Sequence, residues 1–183
     1  YWVSTLLVAF LGLSGPASLA DPATSNSERV AKYGSWSVVK KPGTLIDVRT
    51  GERRRYYLCS AALFAQNASL EFEAKNDEAW SVYVAAEGWN YRNSIKGLTL
   101  KSGSQEIRIG QAMYGGPMIS AMSHNLGSGQ RIGMDKLKKL IAQSQPIAVH
   151  DSSGRKLVTF PNTGSDLRSA FARGIKCSIS SKP

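Results

Sequence analysis

The chain has 183 residues, two cysteines, two histidines and a formal net charge of +10. Two distant cysteines and two isolated histidines exclude the usual four-ligand zinc site and a C-x-x-C redox pair. The positive balance favours anionic partners such as lipid headgroups, acidic glycans or nucleic acid, without choosing among them.

The chain opens on an uncharged apolar run, "WVSTLLVAFLGL" at 2–13, followed by Gly15-Pro16 and the small residues Ser18 and Ala20. That is the pattern of a signal peptide cleaved after Ala20; the alternative is an uncleaved membrane anchor or a lipid-anchored precursor. A membrane-spanning helix needs about 20 apolar residues, and this run is shorter. No second apolar run approaches that length, so no transmembrane segment is expected in the mature chain. The expected organisation is a signal peptide over 1–20, a flexible polar lead-in over 21–33, one β-rich domain over 34–178, and a tail over 179–183.

Strands are read from alternation. "GSWSVVKK" places Trp36 and Val38 on one face. Pro42-Gly43 and Thr50-Gly51 mark turns around a short strand at Leu45–Val48. "RYYLCSAALF" (55–64) is a β-rich apolar run with Cys59 at its middle. "SLEFEA" points Leu70 and Phe72 inward and Glu71 and Glu73 outward. "AWSVYVAAE" repeats the alternation at Trp80, Val82 and Val84. "GLTLKSGSQEIRIG" reads as a hairpin, and "MYGGPMISAMS" as a turn and a strand containing Ile119 and Ala121.

The period then changes. In "GMDKLKKLIAQSQ", Met134, Leu137, Leu140 and Ile141 form one helical stripe, with Asp135 as cap or first-turn acid. "PIAVHDSSGRKLVTF" is a hairpin about a "DSSG" turn. "SDLRSAFARGI" carries Leu167, Ala170 and Phe171 at helical spacing, with Ser165 or Asp166 at its start and Gly174 as its stop. Eight to ten strands and two short helices near the C-terminus predict a mainly β fold, an antiparallel β-sandwich or open barrel.

An exported chain folds in an oxidising compartment, and two cysteines allow a single internal pairing, Cys59 with Cys177. Such a bond would fasten the marginal last helix to the central strand. The alternative is two free, buried thiols.

This order of features resembles the invasion-associated locus B family of exported bacterial proteins. The resemblance rests on "YGSWSVV", "YYLCSAA", "IRIG" and the closing unit from "MDKLKKL" to "ARGIKC". It departs from the family in lacking the close second cysteine pair of some relatives. It implies an exported cell-envelope accessory or binding protein, periplasmic or secreted and linked in some bacteria to host-cell invasion. It carries over no catalytic residue, only the structural positions Trp36, Cys59 and Cys177.

Catalytic constellations are sparse. His124 and His150 lie in polar turns, and no G-x-S-x-G elbow accompanies them. Glu71 and Glu73 could serve as paired carboxylates, but their alternation reads as a solvated face. "NDEAW" (76–80) lacks further cation ligands, and the glycine-rich "NLGSGQRIG" lacks the P-loop ending. No cofactor or metal is called for. The basic residues Arg53, Arg54, Arg55, Lys136, Lys138 and Lys139 form an anion-binding face if the fold gathers them. Specific nucleic-acid binding is not expected, because the tyrosines after "RRR" run into a core strand. The expectation is surface recognition of a protein or anionic partner without enzymatic activity; the alternative is a small envelope hydrolase with an unrecognised site.

Overall fold

The computed structural model describes residues 27–46, 53–74, 79–124, 131–162 and 165–180. The expected signal peptide, residues 21–26 of the expected lead-in, the Thr50-Gly51 turn, the acids of "NDE" and residues 125–130 of the glycine-rich loop lie outside the described residues.

Alternating apolar residues build ten strands: β1 (Glu28–Tyr33), β2 (Trp36–Ile46), β3 (Arg53–Phe64), β4 (Ala68–Ala74), β5 (Trp80–Ala86), β6 (Tyr91–Ser102), β7 (Gln105–Gly116), β8 (Met118–Met122), β9 (Ile147–Asp151) and β10 (Lys156–Phe160). Two helices, α1 (Met134–Ile141) and α2 (Asp166–Ser180), complete the described residues. The expected mainly β, antiparallel architecture with two helices in the C-terminal part is what the structure shows. All ten strands belong to one open sheet, in the order β1-β2-β3-β4-β5-β8-β7-β6-β9-β10. The first five follow chain order. The β6-β7-β8 meander then returns so that β8 lies beside β5, and the β9-β10 hairpin extends the far side of β6.

Three differences from the sequence reading have local causes. Glu28–Tyr33, expected as lead-in, is an edge strand paired with β2 through the tight Gly34-Ser35 turn. Gly34 takes φ +56° and Ser35 does not have positive φ, the pattern of a type II′ hairpin turn. β2 runs unbroken through Pro42-Gly43, because it is paired to β3 along its whole length. Gly174 does not stop α2, which continues to Ser180. At Gly174 the helix lies directly on the β3 backbone, near Ala61 N and Cys59 O.

Both helices cover one face of the sheet. α1 is only eight residues long and would be marginal alone. It is held by burial of Met134, Leu137, Leu140 and Ile141, the stripe expected from sequence. Its N-cap is Gly133, without a side-chain cap, and Asp135 is a first-turn acid. α2 buries Leu167, Ala170 and Phe171 against β1 to β4. Phe72 joins the two layers, with its ring 6.4 Å from both Trp36 and Phe171. Each such fully buried side chain contributes about 1.5–3 kcal/mol of transfer free energy. Trp80 fixes the connection into α1 by donating its indole N–H to Ile132 O at 3.1 Å.

Cys59 and Cys177 form a disulfide, with Cα atoms 5.8 Å apart across a sequence separation of 118. Cys177 sits on α2 itself, so the bond fastens the last helix to β3. Among the described residues, no helix is long and apolar enough to cross a membrane.

Candidate functional site

Among the described residues, β2 and β3 outrun their neighbours. β1 follows β2 only as far as Glu28 opposite Lys40, and β4 follows β3 only as far as Ala74 opposite Cys59. The β2-β3 ladder continues from Lys41 opposite Leu58 to Ile46 opposite Arg53. Among the described residues, no strand flanks this part of the β2-β3 ladder; residues 75–78, which follow β4, lie outside the described residues. Residues 40–46 and 53–58 of the ladder include five Lys or Arg and no acid. Lys40 Nζ lies 4.2 Å from the centre of the Tyr57 ring, which is 45% exposed. Lys41 reaches back to the sheet and places Nζ 2.6 Å from both carboxylate oxygens of Glu71. Where the described part of β4 ends, Ser178 Oγ accepts from Cys59 N at 3.1 Å and donates to Cys59 O at 3.3 Å.

The six residues expected as an anion-binding set fall on two elements. Arg53, Arg54 and Arg55 begin β3; their side chains lie outside the described residues. Lys136, Lys138 and Lys139 are exposed on α1, which packs on β6, β7 and α2. β4, β5 and β8 stand between β3 and β7 in the ladder. The arginines and lysines therefore do not share an element or adjacent strands.

Glu71 and Glu73 correct the reading of a solvated face: they are only 8% and 5% exposed. The alternation phase is right, since Leu70 and Phe72 are in the core. The opposite face of β4 is nevertheless enclosed, in the middle of the sheet, by Lys41 on Glu71 and by buried Ser60 and Ser81 opposite Glu73.

Each histidine has a defined partner. His150 borders a hollow of about 380 Å³ lined also by Thr99, Lys101, Glu106 and Arg108. Its Nδ1 lies 3.0 Å from Gly154 O, which assigns the proton to Nδ1. The neighbouring Ser153 hydroxyl donates to Asp151 Oδ1 at 2.6 Å, not to the imidazole. That hydroxyl, with the amides of Arg155 and Ser153, holds the Asp151 carboxyl below the usual carboxylate range. Glu106 is lowered in the same way, first by Arg108 and then by Lys101. The charges lining the hollow are thus largely paired with one another. His124 Nδ1 lies 3.2 Å from Ser123 Oγ, but Ser123 is buried and accepts the Trp80 N–H at 2.9 Å. Neither histidine is hydrogen-bonded to a carboxylate among the described residues.

The sequence reading missed an exposed apolar face. Ile95 and Met113, 67% and 66% exposed, stand opposite each other on β6 and β7. Met118 and Met122 flank Ser120, the β8 partner of Met113, and a hollow of about 300 Å³ opens beside them. A signal was present: Met113, Met118 and Met122 alternate out of phase with the core residues Tyr114, Ile119 and Ala121.

Among the described residues, no group of three His, Cys, Asp or Glu is placed to hold a metal ion. Comparison with protein-family models, with curated proteins and with solved structures found no match.

Proposed function

We propose that the chain is an exported, non-enzymatic protein of the bacterial cell envelope, similar to the invasion-associated locus B proteins, that acts by surface recognition of an anionic partner. The observation that carries this reading is the β2-β3 ladder, whose described residues include Lys40, Arg53, Arg54 and Arg55 beside Lys41, the last paired with Glu71. A run of cationic residues in one ladder would offer charge to a large partner, and the overall +10 charge speeds encounter with any anionic surface. The Cys59–Cys177 bond is compatible with an oxidising compartment. The hydrolase alternative would use His150, where the adjacent serine is bound to Asp151 and the imidazole Nδ1 to a carbonyl.

Two charge-matched triple variants test the reading, Arg53→Gln/Arg54→Gln/Arg55→Gln and Lys136→Gln/Lys138→Gln/Lys139→Gln. Each removes the same charge from a different element. On a poly-glutamate matrix eluted with rising salt, the ladder variant is expected to elute well before the helix variant. Equal elution of the two would reduce the ladder to ordinary net charge and overturn the proposal.

A further inference from the structure

We infer that Met113, Met118 and Met122 form a thioether site for one soft monovalent cation of the Cu(I) type, on the exposed face of β7 and β8. The inference goes beyond the anionic-partner reading and uses none of its residues.

Register brings the three sulfurs together. The chain has four methionines, and Met134 alone of them is in the core. The other three are 66%, 43% and 47% exposed in chain order. Met113 on β7 stands opposite Ser120 on β8. Met118 and Met122 lie two residues to either side of Ser120 and share its face, since Ile119 and Ala121 between them are buried on the other. Each is therefore a diagonal neighbour of Met113, about 7–8 Å away, a separation that long side chains bridge. Met113 and Met118 already border one hollow of about 300 Å³.

The surroundings suit a cation that thioethers hold. Across the neighbouring strands the three methionines are paired with Ile95, Ser120, Gly115, Ala85 and Ser81, none of them charged. In a chain of net charge +10, this spot sets no lysine or arginine directly against an incoming cation. Four of the five partners are small, which leaves the flexible thioether chains room to turn toward one another over Ser120. No carboxylate, imidazole or thiol is among them, so the donors are neutral sulfur alone. Soft sulfur donors select Cu(I), whereas Ca(II) and Mg(II) require oxygen. The ion is bound in the oxidation state in which it arrives, so no electron is transferred.

A protein-docking face is the competing use of exposed apolar side chains. With Ile95 this patch presents four large ones, few against the roughly 20–30 residues a side of a stable interface. Docking also has no need of sulfur. Exposed strand positions favour Val, Ile and Thr, yet all three positions carry methionine.

The test uses the full chain with its disulfide intact and its methionine methyl groups labelled with carbon-13. Ag(I) serves as the redox-stable probe, and Cu(I), kept reduced by ascorbate and measured against a chromophoric chelator, as the second. With Ag(I), the methyl signals of Met113, Met118 and Met122 are expected to shift along one curve and saturate at a single equivalent. The Met134 signal should stay in place, and Ca(II) should shift none of the four. Each of Met113→Leu, Met118→Leu and Met122→Leu should weaken binding of both probes about tenfold or more, the scale on which metal sites lose affinity when one supporting group is removed. The triple variant should lose binding yet keep its melting temperature and apolar face, because leucine replaces methionine at nearly constant volume. Separate titration curves for the three methyls, or a single variant that binds like wild type, would overturn the shared site. Retained binding in the triple variant, an equal response to Ca(II), or no saturation with either probe would overturn it as well.

Discussion

The carboxylate of Asp166, in the first turn of α2, fills the space above Gly34, the turn residue between β1 and β2; a Cβ at Gly34 would overlap Asp166 Oδ2. Gly34 also has φ +56°, a left-handed conformation that costs an L side chain about 1–2 kcal/mol. Gly34→Ala therefore meets two penalties, one in the backbone and one against the start of α2. It is expected to destabilise the fold by about 2 kcal/mol or more, seen as a lower urea midpoint. Adding Asp166→Ala should recover the steric part and leave the backbone part. A Gly34→Ala midpoint equal to wild type would contradict the seating of α2 on this turn.

Gly174 gives the opposite sign. It is buried inside α2, where glycine costs about 1 kcal/mol relative to alanine. A Cβ there would lie 3.7 Å from Ala61 N and Ser60 C and 3.8 Å from Cys59 O, ordinary contact distances. Gly174→Ala is expected to stabilise by about 0.5–1 kcal/mol, while Gly174→Leu should push the helix off the sheet and destabilise. Thermal melts of the two variants check both signs.

Ser178 holds both backbone groups of Cys59, one residue beyond the disulfide. Ser178→Ala removes these side-chain bonds while Cys59 stays paired with Ala74, and should cost about 0.5–1.5 kcal/mol. In a Cys59→Ala/Cys177→Ala background the helix end is no longer tethered, so the same substitution should cost less. Additive losses in the two backgrounds would show that the tether does not position the serine.

The disulfide and the helical stripes were legible because each follows from a short-range or compositional rule. Two cysteines admit one pairing, and Leu137, Leu140 and Ile141 repeat at helical spacing. Residues 91–96 of β6 were not legible, because register shifts between Tyr91 and Ser94 and between Lys96 and Leu98 break the alternation. Gly174 looks like a helix stop locally; the packing of α2 on β3 that carries the helix past it is tertiary. The phase of Glu71 and Glu73 was readable, but their burial depends on Lys41 arriving from another strand. The continuous β2-β3 ladder could not be read from residues 40–58, since Pro42-Gly43 looks like a turn locally and is held extended by pairing with β3.

Lys41 and Glu71 link β2 to β4, and Glu71 is the more enclosed partner, its side chain 11% exposed against 34% for Lys41. Removing the cation should therefore cost more than the pair is worth, because it strands a buried carboxylate. Lys41→Met is expected to destabilise by about 1–3 kcal/mol, and Lys41→Met/Glu71→Gln to recover much of the loss. A double mutant as unstable as the sum of the singles would show no coupling between the two.

Tyr114 contributes stability that is lost at alkaline pH. Its hydroxyl donates to Gly97 O at 2.9 Å, and its ring meets Tyr91 with centroids 5.1 Å apart. Burial pushes its pKa up to about 12, with Asp151 and Tyr91 acting in the same direction. The unfolded phenol ionises near about pH 10, so between these values the unfolded chain has lost a proton that the folded chain keeps. The resulting stability is complete below about pH 10 and is lost as pH rises through the folded value. Tyr91, raised mainly by burial, adds to the same window. Tyr114→Phe should cost about 1 kcal/mol at neutral pH through the unpaired Gly97 carbonyl and should flatten the alkaline fall in unfolding free energy. Denaturant titrations at stepped pH measure that slope. An unchanged slope in Tyr114→Phe would mean that the phenol ionises as readily in the folded chain as in the unfolded one.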